Sequence, residues 1–337
     1  MKDVRMLDFF RRGPLKWWIV TILVPIVDLA LSPLTFAAAF YLKLIRRAGV
    51  ARMRVSKAVF ERVGVFPIRD HYYEPMFNMK RLRHSLRQDR NLPGIDLNVA
   101  GQLELLERFR FAEELKKFSH EKRHELEYYY NNTNFGPGDS EYLYTMIRLH
   151  RPSTVLEIGS GFSTLMASNA ISANRLDDPA YQCRHICIEP YEMPWLNNLP
   201  HVEILRTLVE NVDRTVFSSL EANDILFIDS SHVIRPQGDV VVEYLEILPI
   251  LQLGVIVHIH DIFTPKDYPD VWLLEHIRLW NEQYLVEAFL SFNNRFKVIG
   301  MLNFLKHHYP EKLMEKCPIQ AEVMATHEPA SLWLVRN

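Results

Sequence analysis

Two short stretches carry side chains able to move protons. Ile228-Asp229-Ser230-Ser231-His232 sets an aspartate three residues before a histidine, and His258-Ile259-His260-Asp261 brings two histidines and an aspartate together. An imidazole titrates near neutrality, so it can take a proton from a hydroxyl at physiological pH, and a nearby carboxylate can orient it. His232 is therefore the first candidate for a general base, with Asp229 as its orienting partner and His260 as second choice. His258, two residues earlier on the same strand face, is expected to lie buried beneath the site. The competing reading of His232 is a structural histidine bonded to a loop carbonyl.

Both stretches end short apolar runs, Ile225–Asp229 and Val255–His260, and a third run shows what kind of fold would bring them together. Val155-Leu156-Glu157-Ile158 passes into Gly159-Ser160-Gly161 and then Ser163-Thr164, which reads as a buried strand, a tight turn and a helix start. Glycines here let the backbone approach a ligand, so Gly159, Ser160, Gly161, Ser163 and Thr164 form a candidate cofactor cradle. Dinucleotide folds and S-adenosylmethionine (SAM) enzymes both place such a turn at the carboxyl ends of parallel strands. The third glycine of a dinucleotide fingerprint is Thr164 here. Glu157 in the strand suits a cationic amino-acid moiety and would repel a pyrophosphate. Glu189 closes the run from His185 about thirty residues beyond the turn, where a carboxylate can accept both ribose hydroxyl hydrogens; a surface glutamate ahead of Pro190 is the plainer alternative. Tyr191, Pro194 and Trp195 would then border the adenine, or form an aromatic loop packed on the sheet.

The stretch Val155 to Thr164 resembles the first motif of the class I SAM-dependent methyltransferases. It is closest to a bacterial branch with a Glu-Ile-Gly-Ser-Gly-Phe-Ser-Thr signature, found among sugar and natural-product O-methyltransferases. The resemblance runs from about Asn131 to the C-terminus. It implies a Rossmann-like α/β fold: a seven-stranded, mostly parallel sheet with helices on both faces and an antiparallel last strand. It implies SAM as cofactor, with Gly138 and Asp139 of the entry loop near its methionine end and Asp229 beside it. It also implies that Asp229 and Asp261 stand where metal-dependent members hold Mg2+, although the third oxygen ligand of that pattern is missing. The reaction so implied is methyl transfer to a hydroxyl, in which positioning does most of the work.

The remaining sequence concerns location. From Trp17 to Leu42 the chain is nearly all apolar, broken only by Asp28, Pro25 and Pro33, and is long enough to cross a bilayer. Basic residues flank both ends: Lys2, Arg5, Arg11, Arg12 and Lys16 before it, Lys43, Arg46, Arg47, Arg52 and Arg54 after it. A single crossing would leave one cluster on the wrong side. A re-entrant segment broken at Ser32-Pro33 removes the conflict, as in the anchor of monotopic phosphoglycosyl transferases, which Asp28 to Lys43 resembles. A spanning helix and a soluble helix pair are the alternatives. The expected organisation is a membrane anchor over 1–47, a basic linker and helical cap over 48–130, and the catalytic domain over 131–337. The cap includes an amphipathic helix from Gln102 to Lys117. His71-Tyr72-Tyr73-Glu74-Pro75 is a candidate substrate mouth, against tyrosines packed on the domain, and Phe263 to Pro269 with Trp272, Trp280, Asn281 and Tyr284 a mobile, carbohydrate-facing aromatic lid, against a plain helical packing surface.

A net charge of −2 over 337 residues gives no support for nucleic-acid binding, and three cysteines form neither an even framework nor a metal pattern. The expectation is a SAM-dependent O-methyltransferase at the cytoplasmic face of the inner (plasma) membrane, acting on a sugar hydroxyl of a glycan or lipid-linked sugar. Two alternatives stand beside it. One is a non-catalytic membrane-attached nucleotide-binding module; the other is a nicotinamide-dependent oxidoreductase, which the missing glycine and Glu157 disfavour.

Overall fold

The computed structural model describes residues 19–191 and 193–337. The chain divides into two compact units, one ending at Arg83 and the other His84–Asn337. In the first unit, helix α1 (Val24–Ala48) is continuous through Pro33. The expected break at Ser32-Pro33 is absent because the carbonyl that proline strands is satisfied locally: Ser32 Oγ donates to Leu29 O at 2.8 Å. Thr21–Ala48 is long and apolar enough to cross a membrane, and its most apolar stretch buries nothing against the protein. The basic residues that precede it, and Trp17, lie outside the described residues. Helix α2 (Arg54–Val63) follows, and Tyr72 and Tyr73 of the expected mouth are 90% and 85% exposed.

The second unit begins well before residue 131, because its first helices pack on the sheet. The amphipathic stretch forms two helices, α3 (Val99–Glu107) and α4 (Ala112–Leu115), rather than one. Between them the backbone closes tight turns at Arg108 and Phe109, which buries both Phe109 and Leu115. Gln102 of α3 fixes the attachment, its Oε1 accepting the Met301 N–H at 2.7 Å.

Seven strands form one sheet: β1 (Thr154–Ile158), β2 (Arg184–Ile188), β3 (Val202–Leu205), β4 (Ile225–Ile228), β5 (Ile256–Ile259), β6 (Phe296–Met301) and β7 (Leu332–Arg336), in the order β3-β2-β1-β4-β5-β7-β6. Strands β1 to β5 pair in parallel, and β7 runs antiparallel to both neighbours. This is the expected seven-stranded, Rossmann-like architecture. Alternation along β1 assigns its two faces: Leu156 and Ile158 join one core, Val155 the other. The second core lies under α5 (Asp139–His150) and α6 (Phe162–Asp177), so Glu157, on the same face as Val155, points beneath α6. Each fully buried aliphatic side chain in these layers contributes about 1.5–3 kcal/mol, which makes a register slip in β1 prohibitive.

Chain direction reverses its lateral course between β1 and β4, the switch point where parallel sheets open a crevice at their carboxyl ends. Gly159, Glu189, Asp229 and His260-Asp261 directly follow β1, β2, β4 and β5. Because β6 runs parallel to β5 and β7 antiparallel, the end of β6 and the start of β7 fall on that same edge.

Candidate active site

Gly159 sets the floor of the crevice. Its φ is +83°, and a Cβ there would stand 2.1 Å from the Asp229 carbonyl oxygen. The peptides on either side tie three strands together: Gly159 N–H donates to Ile188 O at 3.0 Å, and Asp229 N–H to Ile158 O at 2.9 Å. The resulting cavity, about 270 Å3, is lined by Gly159, Glu189, Tyr191, Asp229, Ser231 and Arg235, among others. Glu189 Oε1 accepts the Tyr191 N–H at 2.9 Å, so the turn after β2 holds the carboxylate at the rim. Trp195, expected beside Tyr191, packs instead on the core under α6.

The acid inside the motif has a different place from the one expected. Glu157 is fully buried and its carboxylate accepts hydrogen bonds from Ser163 Oγ at 2.9 Å and Thr164 Oγ1 at 3.1 Å, with His185 and Cys187 on its other oxygen. Thr164 Oγ1 also accepts the Gly161 N–H at 3.1 Å. Glu157, Ser163 and Thr164 thus brace the turn from below rather than line the cavity. Ser160 Oγ is buried without a hydrogen-bond partner. Gly138 and Asp139 likewise serve the fold: Asp139 accepts from the Ala330 N–H at 2.9 Å and from Ser331 Oγ at 2.6 Å, which joins the start of α5 to the start of β7. A Cβ on Gly138, whose φ is +78°, would meet Pro329 and Gln320.

Asp229, His232 and Asp261 do converge. His232 Nε2 lies 3.2 Å from Asp229 Oδ1 and 3.5 Å from Asp261 Oδ2, and Nδ1 lies 2.8 Å from Glu282 Oε2. Glu282 opens helix α7 (Glu282–Leu290), is fully buried, and accepts a second bond from Tyr244 Oη at 2.9 Å. Trp280 packs against the imidazole at a tilt of 38°, ring centres 4.3 Å apart. Burial pushes the His232 pKa down, but the hydrogen bonds to Asp229 and Glu282 and the charge of Asp261 outweigh it and hold the ring well above its ordinary value. Both ring nitrogens thus face carboxylates, Nε2 toward Asp229 and Asp261 and Nδ1 toward Glu282, an arrangement that favours the protonated ring. Desolvation works against ionisation of Asp229, yet His232 and His260 keep its pKa below the usual carboxyl value. At Asp261 desolvation prevails and raises the pKa, with His260 and His232 only partly offsetting it. His260 is buried with Nδ1 unpartnered; burial lowers its pKa, and Asp261 and Asp229 more than restore it. His258 lies beneath, packed between Phe227 and Trp333, as expected.

The aromatic insertion is a packed wall and not an open lid. Phe263 and Tyr268 are buried with Leu86, Leu273 and Ala330, and the Arg278 guanidinium sits 4.5 Å from both the Trp272 and Trp280 rings. Trp280 belongs to the aromatic insertion already singled out, whereas Glu282 and Tyr244, which act on His232 directly and through Glu282, carry no local signal that sequence spacing could reveal. Asp239, which takes both the N–H and the hydroxyl of Ser231 at 2.9 and 2.6 Å, is another such residue.

Residues 156–262 match the family model described as a methyltransferase domain. Over 182 residues the chain is 32% identical to an uncharacterized protein of Archaeoglobus fulgidus, an overlap that covers 50% of this chain and 80% of that protein. Among solved structures it is similar to the O-methyltransferase from Bacillus cereus in complex with SAH (12% identity, 70% of this chain and 90% of that one, TM-score 0.36). It is similar also to the O-methyltransferase TomG from Streptomyces achromogenes, involved in tomaymycin synthesis, in complex with SAM (12% identity, 59% and 79%, TM-score 0.37). Likeness at that level carries no conclusion about substrate.

Proposed function

The chain belongs to the family of its Archaeoglobus fulgidus relative and, through residues 156–262, to the SAM-dependent methyltransferases; from that premise we propose that it is a membrane-associated O-methyltransferase acting on a sugar hydroxyl of a glycan or lipid-linked sugar. The observation that carries the transfer reading is one crevice edge shared by Gly159, Glu189 and Asp229, with Asp229 also part of the His232 and Asp261 cluster. In this reading Glu189 accepts the ribose hydroxyls of SAM and the bare backbone at Gly159 admits the nucleoside. Asp261, a carboxyl with a raised pKa and a side chain 15% exposed, holds the proton released by the acceptor hydroxyl. The His232 imidazolium fixes Asp229 and Asp261 in place and balances their charge.

One oxygen from each aspartate and a nitrogen of His232 lie within 4.8 Å of one another, so a divalent cation would be held by both carboxylates and, on displacing the Nε2 proton, by the imidazole, with Glu282 orienting the ring from behind. A nitrogen in the set suits a manganese- or iron-like ion better than the Mg2+ expected from the resemblance. Such an ion, when bound, would lower the pKa of the acceptor hydroxyl.

The sugar reading is supported by a second cavity, about 300 Å3, on the same edge of the sheet and lined by Phe263, Lys266, Asn303, His307 and Glu328. Lys266 pairs with Asp89 and His307 with Glu328, so its charges are largely balanced. Asn303 is buried and its Oδ1 has no partner. An uncharged ligand rich in hydroxyl donors answers that chemistry better than an anion. Membrane association rests on the bare apolar surface of α1. The test is isothermal titration of SAM into wild-type protein and Glu189→Ala: binding that the substitution weakens at least about tenfold, the loss of roughly one charge-assisted hydrogen bond, supports the reading, and wild-type protein giving no heat removes it.

A further inference from the structure

Within the first unit, α2 has two apolar aspects. Phe60 is buried against Ile45 and Val50, which docks the helix on the end of α1. Val55, Val59 and Val63 recur every fourth residue and form a separate line that is 81%, 51% and 66% exposed. Past Gly64 the bare surface continues through Val65, Phe66, Ile68, Tyr72 and Tyr73. Soluble proteins rarely leave an apolar patch of this extent open to water.

The charge around the patch identifies what covers it. From Lys43 to Arg69 the chain has eight basic residues and one acidic one, Glu61. Glu61 pairs with Lys57 at 3.4 Å, on the side of α2 turned away from the valine line. A short helix with an apolar stripe, basic flanks and neighbouring tyrosines is suited to the boundary between lipid headgroups and acyl chains. The patch is also continuous in sequence with α1, whose Leu29, Leu34 and Phe36 are equally bare.

Arg46 and Arg69 are held by Glu74 at 2.7 and 3.5 Å; we propose that α2 lies in the plane of an anionic membrane surface, with Val55, Val59 and Val63 at the acyl boundary and Arg47, Arg52, Arg54 and Arg62 at lipid phosphates, as a second attachment beside α1. The proposal extends the membrane reading above and is independent of the cofactor reading, which calorimetry with SAM tests separately.

The experiment uses the full chain with a single added cysteine, Val59→Cys or Glu61→Cys, each at an exposed position, labelled with an environment-sensitive fluorophore. Cys183, Cys187 and Cys317 are buried and leave the label to the new site. In nanodiscs of phosphatidylcholine containing phosphatidylglycerol, the Val59→Cys probe should be blue-shifted, quenched severalfold by shallow doxyl-labelled lipid and shielded from aqueous iodide, while the Glu61→Cys probe stays open to iodide. In phosphatidylcholine alone the contrast should shrink about twofold or more. Equal iodide quenching at both sites, failure of the protein to remain with the discs, or no dependence on the anionic lipid would overturn the proposal. Shielding of Val59→Cys without lipid quenching would also overturn it, since the surface would then be covered by protein.

Discussion

The two glycines of the nucleotide turn should respond very differently to alanine. At Gly159 a methyl group would fall 2.1 Å from the Asp229 carbonyl oxygen, more than ~1 Å inside an ordinary contact. The obstacle is backbone, held by the Asp229 N–H bond to Ile158 O, so relief requires β1 and β4 to part at the crevice floor. The left-handed φ adds about 1–2 kcal/mol for any residue with a Cβ, and overpacking about 1–3 kcal/mol. Together these predict a loss of about 2–5 kcal/mol for Gly159→Ala, a fall in Tm of roughly 4–20 °C. At Gly161 the backbone is extended and a Cβ would meet only Met193 Cε, at 3.9 Å. Gly161→Ala should cost about 1 kcal/mol, from the exchange at the start of α6. Differential scanning calorimetry without ligand, followed by SAM titration, checks both. Gly159→Ala should lose stability and binding together, whereas any binding lost by Gly161→Ala should come without a comparable Tm shift. Equal Tm losses in the two variants would refute the geometry on which the cofactor site is built.

Further outcomes follow from the buried charges. Glu282→Gln should bring the His232 pKa down toward its ordinary value, because a neutral amide replaces the carboxylate at Nδ1; NMR titration of the imidazole reads this, and an unmoved pKa would mean that Glu282 is not its governing partner. Burial holds the His258 pKa well below its ordinary value, so the unfolded chain binds the extra proton first; stability should decline as pH falls below about 6.5 toward the folded pKa, and His258→Phe should flatten that decline in pH-dependent melting. Mn2+ should raise Tm more than Mg2+ at equal concentration, an effect that Asp261→Asn removes; a larger response to Mg2+ would count against the imidazole as a ligand.

The fold was legible because its strands are short apolar runs that end in chemistry-bearing residues. The runs read from Val155, His185, Ile225 and Val255 form strands within a residue of those places, since buried parallel strands tolerate little else. The places where reading failed share a cause. Pro33 signalled a helix break, but a single hydroxyl one residue earlier restores the lost acceptor bond. Gln102 to Lys117 had a helical period throughout, yet packing of Phe109 and Leu115 into the core outweighed continuity. In both, a tertiary or side-chain contact that adds about 1–3 kcal/mol exceeds the local preference.

The site divides along the same line. Residue type and position relative to a strand end located Gly159, Glu189, Asp229 and Asp261, because the sheet itself carries them to one edge. Type alone did not settle what each side chain faces. Glu157 has the right chemistry for a cationic ligand, but the period of two along β1 turns it under α6, where Ser163 and Thr164 satisfy it. Asp139 has the right loop but is held by the start of β7. His232 shows the limit most plainly. Its neighbour in sequence, Asp229, predicts an oriented base; its neighbour in space, Glu282, fifty residues on, takes Nδ1 and favours the protonated ring. In the proposed reading proton acceptance falls to Asp261, whose pKa is raised by how little water reaches the end of β5. A single carboxylate contributed by the start of a distant helix thus bears on the protonation of the first candidate base, through a contact that sequence spacing does not show.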